Sequence, residues 1–374
     1  MKNYRKNRWP GLLLLLLLWQ AGVGAQIAIE SDVYAGAIWR HTPKLTTETA
    51  GIRWGQELSV RFQTDGRRDW HQWHRYPAFG VSLLHMRLGE GSHGDAFALL
   101  PQLSVPVFRW GRFAAFFRLG TGLARVSDPY DYFKNPEQNA IGSHWNNITQ
   151  FRLGGEFRFD DHLRVNAGVA LTHFSNGGAA LPNYGINLPS AYTGLVWSPH
   201  PIRESDFLPA AGSKKVVRHF GTIGQAGLAR IEYAVFDGPG YPVWCTSVAG
   251  YYRFNRVNRA LLGIDHEFNR AVFEYGQQAA FFENEGAARK GATRLALFAA
   301  DEFLFGSIGV QLQMGFYIGD GFNQLVFKKQ YSKLSTRYYF PAMFKTPLQA
   351  FTGITLKAHA FTAEYISGNI GLAF

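Results

Sequence analysis

The sequence predicts an all-β chain, an antiparallel transmembrane β-barrel of about 14–16 strands. Three observations lead there. Apolar and polar residues alternate with period two through segment after segment. Beyond the first 25 residues, no run reaches the roughly 18 apolar residues that a membrane-spanning helix needs. The composition is 16% aromatic and only 17% charged, with 41 glycines, which suits exported β-structure rather than a helical core.

The elements follow in order. Met1 to Arg8 is basic, Leu12 to Leu18 is apolar, and Val23 and Ala25 are small. This is the pattern of a secretory signal, so residues 1–25 are expected to be a leader cleaved after Ala25. Removing Lys2, Arg5, Lys6 and Arg8 with it lowers the formal net charge from +11 to about +7. Strands are expected near 27–40, 50–62, 76–89 and 95–108. Trp110-Gly111-Arg112 makes a tight turn, after which Phe113, Ala115, Phe117, Leu119 and Leu123 share one face. Phe151, Leu153, Gly155, Phe157 and Phe159 alternate with Arg152, Gly154, Glu156 and Arg158. A turn at Asp160-Asp161-His162 leads into the strand 163–175, and another strand lies near 190–198. That makes about eight strands over 26–198.

A polar connection runs from Ser198-Pro199-His200-Pro201 to Ser213. Further strands are expected near 214–234, 241–254, 258–268, 293–305, 307–318, 332–341, 348–358 and 361–374, with a loop and short helix over 271–290. In the last strand Ile366, Ile370, Leu372 and Phe374 oppose Ser367, Asn369 and Gly371. An alternating strand ending on an aromatic resembles the assembly signal of bacterial outer-membrane barrels. Residues 199–374 are therefore expected to add strands that close one enlarged ring. The alternative is an eight-stranded barrel followed by a second β region.

The basic balance suits an acidic or phosphorylated lipid surface, and export argues against nucleic acid as a partner. Cys245 is the only cysteine, so no internal disulfide or thiolate cluster can form. His71, His74 and His85 are scattered, and no metal or cofactor is implied.

The chemistry is expected at the end of strand 163–175. Leu163, Val165, Ala167, Val169 and Leu171 form its apolar face, against Arg164, Asn166, Gly168, Ala170 and Thr172. His173 and Ser175 continue the apolar side, because residues two apart on a strand share a face. An imidazole beside a hydroxyl is the minimum for a base-activated nucleophile. Counted as the seventh strand, with both termini in the periplasm, this strand runs outward. The pair then lies at the outer rim, on the lipid-facing wall.

The run His173-Phe174-Ser175-Asn176-Gly177-Gly178 resembles the His-x-Ser-Asn-x-Gly motif of the PagL-type lipid A 3-O-deacylases. Related chains are called acyloxyacyl hydrolases. The resemblance covers about residues 27–198. It implies a multi-pass barrel of the bacterial outer membrane, a serine esterase acting on lipid A of lipopolysaccharide in the outer leaflet, with no cofactor. It makes Ser175 the nucleophile, His173 the general base, and the Asn176 and Gly178 amides the oxyanion hole. It also places an acid fourteen residues after the histidine, where this chain has Asn187. An amide can hold the ring but cannot supply a charge. Asp128, Asp131 and Glu137 are the carboxylates that could stand in. His173 and Ser175 are expected within about 2.6–3.2 Å of each other, with Asn187 near the far ring nitrogen. A non-catalytic channel or structural barrel is the alternative of another class.

Overall fold

The computed structural model describes residues 26–89, 92–200, 203–208, 218–233, 236–318, 329–342, 347–359 and 362–374. The expected leader, residues 1–25, lies outside the described residues. The first half holds β1 (Gln26–Gly36), β2 (Arg53–Gln63), β3 (Ala78–Gly89), β4 (Gly94–Trp110), β5 (Phe113–Val126), β6 (Trp145–Arg158), β7 (Leu163–Ser175) and β8 (Ile186–Trp197). The second holds β9 (His219–Ile231), β10 (Tyr241–Arg253), β11 (Asn258–Asn269), β12 (Thr293–Phe305), β13 (Ile308–Tyr317), β14 (Gln330–Tyr339), β15 (Gln349–His359) and β16 (Thr362–Ala373).

All neighbours are antiparallel, but the strands form two closed rings of eight rather than one enlarged ring. The reason is edge pairing. β8 pairs with β7 and also with β1, from Ile29↔Trp197 to Gly36↔Ser190, so the first ring has no edge left for β9. β9 instead pairs with β10 and β16. The C-terminal strand does close a sheet, but it is the second one. Phe374 and Thr222 exchange two backbone hydrogen bonds of 2.8 Å there.

The loop 271–290 holds two short helices, α2 (Arg270–Gln278) and α3 (Glu285–Ala292), each capped by an asparagine. The Asn269 and Asn284 side chains accept the Val272 and Ala287 amides, which a helix start would otherwise leave unpaired. A five-residue helix, α1 (Asp69–Trp73), lies between β2 and β3. It is too short to register as a period in sequence.

Alternation sorts the faces as expected. On β1, Ile27, Ile29 and Val33 point out, while Glu30, Asp32 and Tyr34 are buried inside. Exposed Trp54, Phe97 and Trp145 ring one end of the first barrel, and Trp110, Phe113, Phe157 and Trp197 ring the other. Two aromatic belts around an apolar wall are the signature of a membrane-spanning barrel.

Both lumens are filled by ion-paired side chains. Glu30 accepts hydrogen bonds from Arg61 (3.0 Å), Arg118 (2.8 Å), Arg152 (3.1 Å) and Asn166 (2.8 Å). Arg152 also reaches Asp32 at 2.8 Å and lies over the Tyr192 ring. In the second barrel, Lys357 and Arg294 meet Glu267, and Lys333 meets Asp265. Lumens occupied in this way weigh against the channel alternative.

The barrels stand side by side and touch at both ends. At one end, α1 places Trp70 and Trp73 against Phe303, Phe305 and Ile308, and His74 Nε2 lies 2.8 Å from the Leu304 carbonyl. At the other end, the loop 176–185 after β7 meets β9 and β16.

Arg152 anchors the first lumen. Arg152→Met is expected to cost about 3–5 kcal/mol, because it leaves the buried Asp32 without a counter-charge and takes one of three arginines from Glu30. Urea unfolding in detergent measures it, and an unchanged midpoint would remove the network from the account.

Candidate active site

The site is set by cross-strand register. β7 pairs with β6 so that Asn147 faces Ser175 and Thr149 faces His173. β7 pairs with β8 so that His173 faces Asn187. All five residues have outward parity, alongside the exposed Leu153, Val169 and Leu195. Thr121 of β5 extends the row, accepting a hydrogen bond from Asn147 Nδ2 at 3.1 Å. Thr149 Oγ1 donates in turn to Asn147 Oδ1 at 3.0 Å. A polar row thus crosses four adjacent strands on a wall that is otherwise apolar.

His173 Nδ1 lies 2.7 Å from Asn187 Oδ1. An amide oxygen can only accept, so the ring carries its proton on Nδ1 and presents the Nε2 lone pair elsewhere. Asn187 is 5% exposed, and its Nδ2 is buried with no hydrogen-bond partner among the described residues. Asp128, Asp131 and Glu137 do not bond His173. Asp131 closes its own turn, accepting from the Phe133 and Lys134 amides, and Asp128 accepts from Ser127.

Ser175 departs from the expected geometry. Among the described residues, no hydrogen bond joins it to His173. Its hydroxyl is held by Asn183, which lies within 3.0–3.2 Å through both side-chain atoms, and by the Gly177 N–H at 3.0 Å. The loop after β7 folds back to place Asn183 there, and Ser175 is only 1% exposed.

The two amides expected to form an oxyanion hole differ. The Asn176 N–H is engaged by Asn183 Oδ1 at 3.0 Å. The Gly178 N–H makes no hydrogen bond to any described residue. The loop itself is held from two sides. On the first barrel, Asn176 Nδ2 donates to Ser143 Oγ (3.0 Å), and the Gly185 N–H donates to the Ala140 carbonyl (2.9 Å). From the second barrel, the Glu232 N–H donates to the Gly178 carbonyl (2.8 Å), and Glu232 Oε2 accepts the Leu181 N–H (2.8 Å). Burial pushes the Glu232 carboxyl above its ordinary range, and the Leu181 N–H partly offsets this.

Packing explains the paired glycines. Both Gly177 and Gly178 have positive φ. A Cβ on Gly177 would lie 2.6 Å from Ile366 Cγ1, and one on Gly178 would lie 2.7 Å from the Glu364 carbonyl. Among the described residues, no three His, Cys, Asp or Glu side chains converge as a metal-binding set.

Residues 54–195 match the family model for lipid A 3-O-deacylase (PagL), and residues 206–374 match the acyloxyacyl hydrolase C-terminal domain. Over residues 54–195 the chain belongs to the lipid A 3-O-deacylase family. It is a carboxylic ester hydrolase of the outer membrane, acting on lipid A of lipopolysaccharide. Each barrel corresponds to one of the two matches. No curated protein matches the chain. Among solved structures it is similar to Neisserial surface protein A, at 9% identity, covering 47% of this chain and 99% of that one with a TM-score of 0.34. It is similar to the outer membrane enzyme PagL at 18% identity, covering 44% and 97% with a TM-score of 0.33. OccAB4 of Acinetobacter baumannii, at 9% identity, covers 93% and 97% with a TM-score of 0.26.

Sequence reading missed Asn147, Thr149, Thr121, Asn183 and Glu232 as neighbours of the site. The first three carried a readable signal. Each continues an outward apolar stripe in polar residues, as His173 and Ser175 do. Asn183 and Glu232 sit in irregular backbone, where no period assigns a direction.

Gly177→Ala is expected to lower the deacylase's stability by more than about 1 kcal/mol, since a Cβ at positive φ is strained even before it meets Ile366. Thermal unfolding in detergent reads this, and an unchanged melting temperature would refute the tight approach.

Proposed function

We propose that Ser175 is the nucleophile of this lipid A deacylase, with His173 as its general base and Asn187 as the residue that orients the ring. The observation that carries the reading is the His173–Asn187 bond, made on the outward wall two residues from Ser175. The loops 37–52, 127–144 and 176–185 share the end of the first barrel that holds Ser175. The tight turns 111–112 and 159–162 lie at the other end, with the loop 64–77 that carries α1. Barrels carry long loops outside the cell and short turns in the periplasm, so Ser175 faces the outer leaflet.

The reaction begins with Ser175 Oγ turning from Asn183 to His173 Nε2. The proton passes to Nε2 as Oγ attacks the ester carbonyl of a primary acyl chain, at the 3-O position by family. A weak hydroxyl needs that base to react. Negative charge develops on the carbonyl oxygen. The Gly178 N–H is free to receive it, and the Asn176 N–H joins once Asn183 has moved. One such donor is typically worth about 10²–10³ in rate. Collapse breaks the bond to the sugar oxygen, which takes the proton from His173. Water, activated by the same imidazole, then releases the fatty acid from Ser175.

Asn187 cannot stabilise the imidazolium with a full charge, but it fixes the tautomer. Mass spectrometry of lipid A treated with the purified barrel tests the assignment. Ser175→Ala is expected to abolish deacylation, and His173→Ala to cost about 10²–10⁴. Asn187→Ala should cost much less. Asn187→Glu should preserve or raise activity, because it adds a charge and removes the unpaired buried Nδ2. Full deacylation by Ser175→Ala would put the nucleophile on another residue and overturn the assignment.

A further inference from the structure

The catalytic loop is not held by the first barrel alone. Glu232, the first residue after β9, binds it at both ends of the stretch 178–181. Its N–H donates to the Gly178 carbonyl, and its carboxylate accepts the Leu181 N–H, each at 2.8 Å. Among the described residues, the Leu181 bond is the only hydrogen bond this half-buried carboxylate makes. A carboxylate kept partly out of water for one backbone amide costs desolvation, which nearby Arg230 offsets only in part and no ion pair among the described residues repays. The position of that amide is what the contact secures.

The geometry gives the contact a consequence. Gly178 has its carbonyl fixed by Glu232, the Glu364 carbonyl close to where a Cβ would stand, and its own N–H unpaired among the described residues. Fixing the Gly178 carbonyl and the Leu181 amide three residues on limits how far the preceding peptide, which carries the Gly178 N–H, can turn. Ile231 and Ile366 close the same side, so the loop cannot swing toward the second barrel without a clash.

We infer that Glu232 is a positioning residue for deacylation: the second barrel holds the loop 178–181 so that the Gly178 N–H faces the reacting carbonyl. The inference rests on the assignment of Ser175 as nucleophile. It gives the second barrel a part in a reaction whose reacting groups all lie on the first.

The test uses the full chain in detergent with purified lipopolysaccharide, reading released fatty acid over a range of substrate concentrations. Glu232→Ala is expected to lower kcat about tenfold to a hundredfold with KM nearly unchanged, since a misplaced donor acts on the transition state. Glu232→Gln keeps an acceptor oxygen at the same reach and should retain most of kcat. Glu232→Asp withdraws the acceptor by one methylene and should fall with Glu232→Ala. It also decides the matter if Glu232→Ala fails to assemble as a heat-modifiable barrel. A Glu232→Asp enzyme with wild-type kcat overturns the inference, as does a Glu232→Gln enzyme as slow as Glu232→Asp. Ser175→Ala runs beside them. If it is inactive while the Glu232 variants are normal, only this inference fails. If it is fully active, the catalytic reading fails and takes this one with it.

Discussion

A strand in the hydrocarbon layer has no water to satisfy its backbone, so every edge must find another strand. In this protein the requirement is met twice. β1 closes on β8 and β9 closes on β16, and each closure uses up the edges that would have let the two halves merge. The rest of the architecture follows. With no free edge, the halves can associate only through side chains and loops, which is how they meet at α1 and at the loop after β7. The polar interior follows too. A ring of eight strands is narrow enough for side chains to fill, and here the filling is a charge network around Glu30 and another around Glu267.

Closure also decides where chemistry can happen. The lumen is occupied, so a reacting group has to work on the outer wall or in a loop. Period two puts His173, Ser175 and Asn187 on that wall, and register puts them side by side. The wall is apolar below them and polar at their level. That suits a substrate with acyl chains in the membrane and ester carbonyls at its surface. The second barrel then supplies a backstop, with Ile366 and the Glu364 carbonyl filling the space that the paired glycines leave open.

Much of this was legible in the chain. The strand segments were readable because alternation is strict. The rank of β7 as seventh in its ring followed from counting strands, and the outward position of His173 from its register with Val169 and Leu171. Asn187 was found through the family spacing. The number of rings was not legible, because alternation reports which face a residue is on and says nothing about which strand lies beside it. The connection from Ser198 to Ser213 marked the break, but a long loop inside one ring would look the same. The resting position of Ser175 was also hidden. It depends on Asn183, eight residues on, in a stretch without repeating geometry. Glu232 lay further out of reach still, since its partners belong to a different ring.

The central claim is that the Ser175 hydroxyl, on the outer wall, becomes covalently bonded to the acyl group. Treating the active barrel with a serine-directed organophosphonate and mapping the adduct by peptide mass spectrometry addresses it most directly. The account predicts one adduct, on the peptide carrying Ser175, formed in proportion to the loss of lipid A deacylation and prevented by His173→Ala. Full modification of Ser175 with deacylation intact, or complete inactivation with the adduct on another residue, would contradict it.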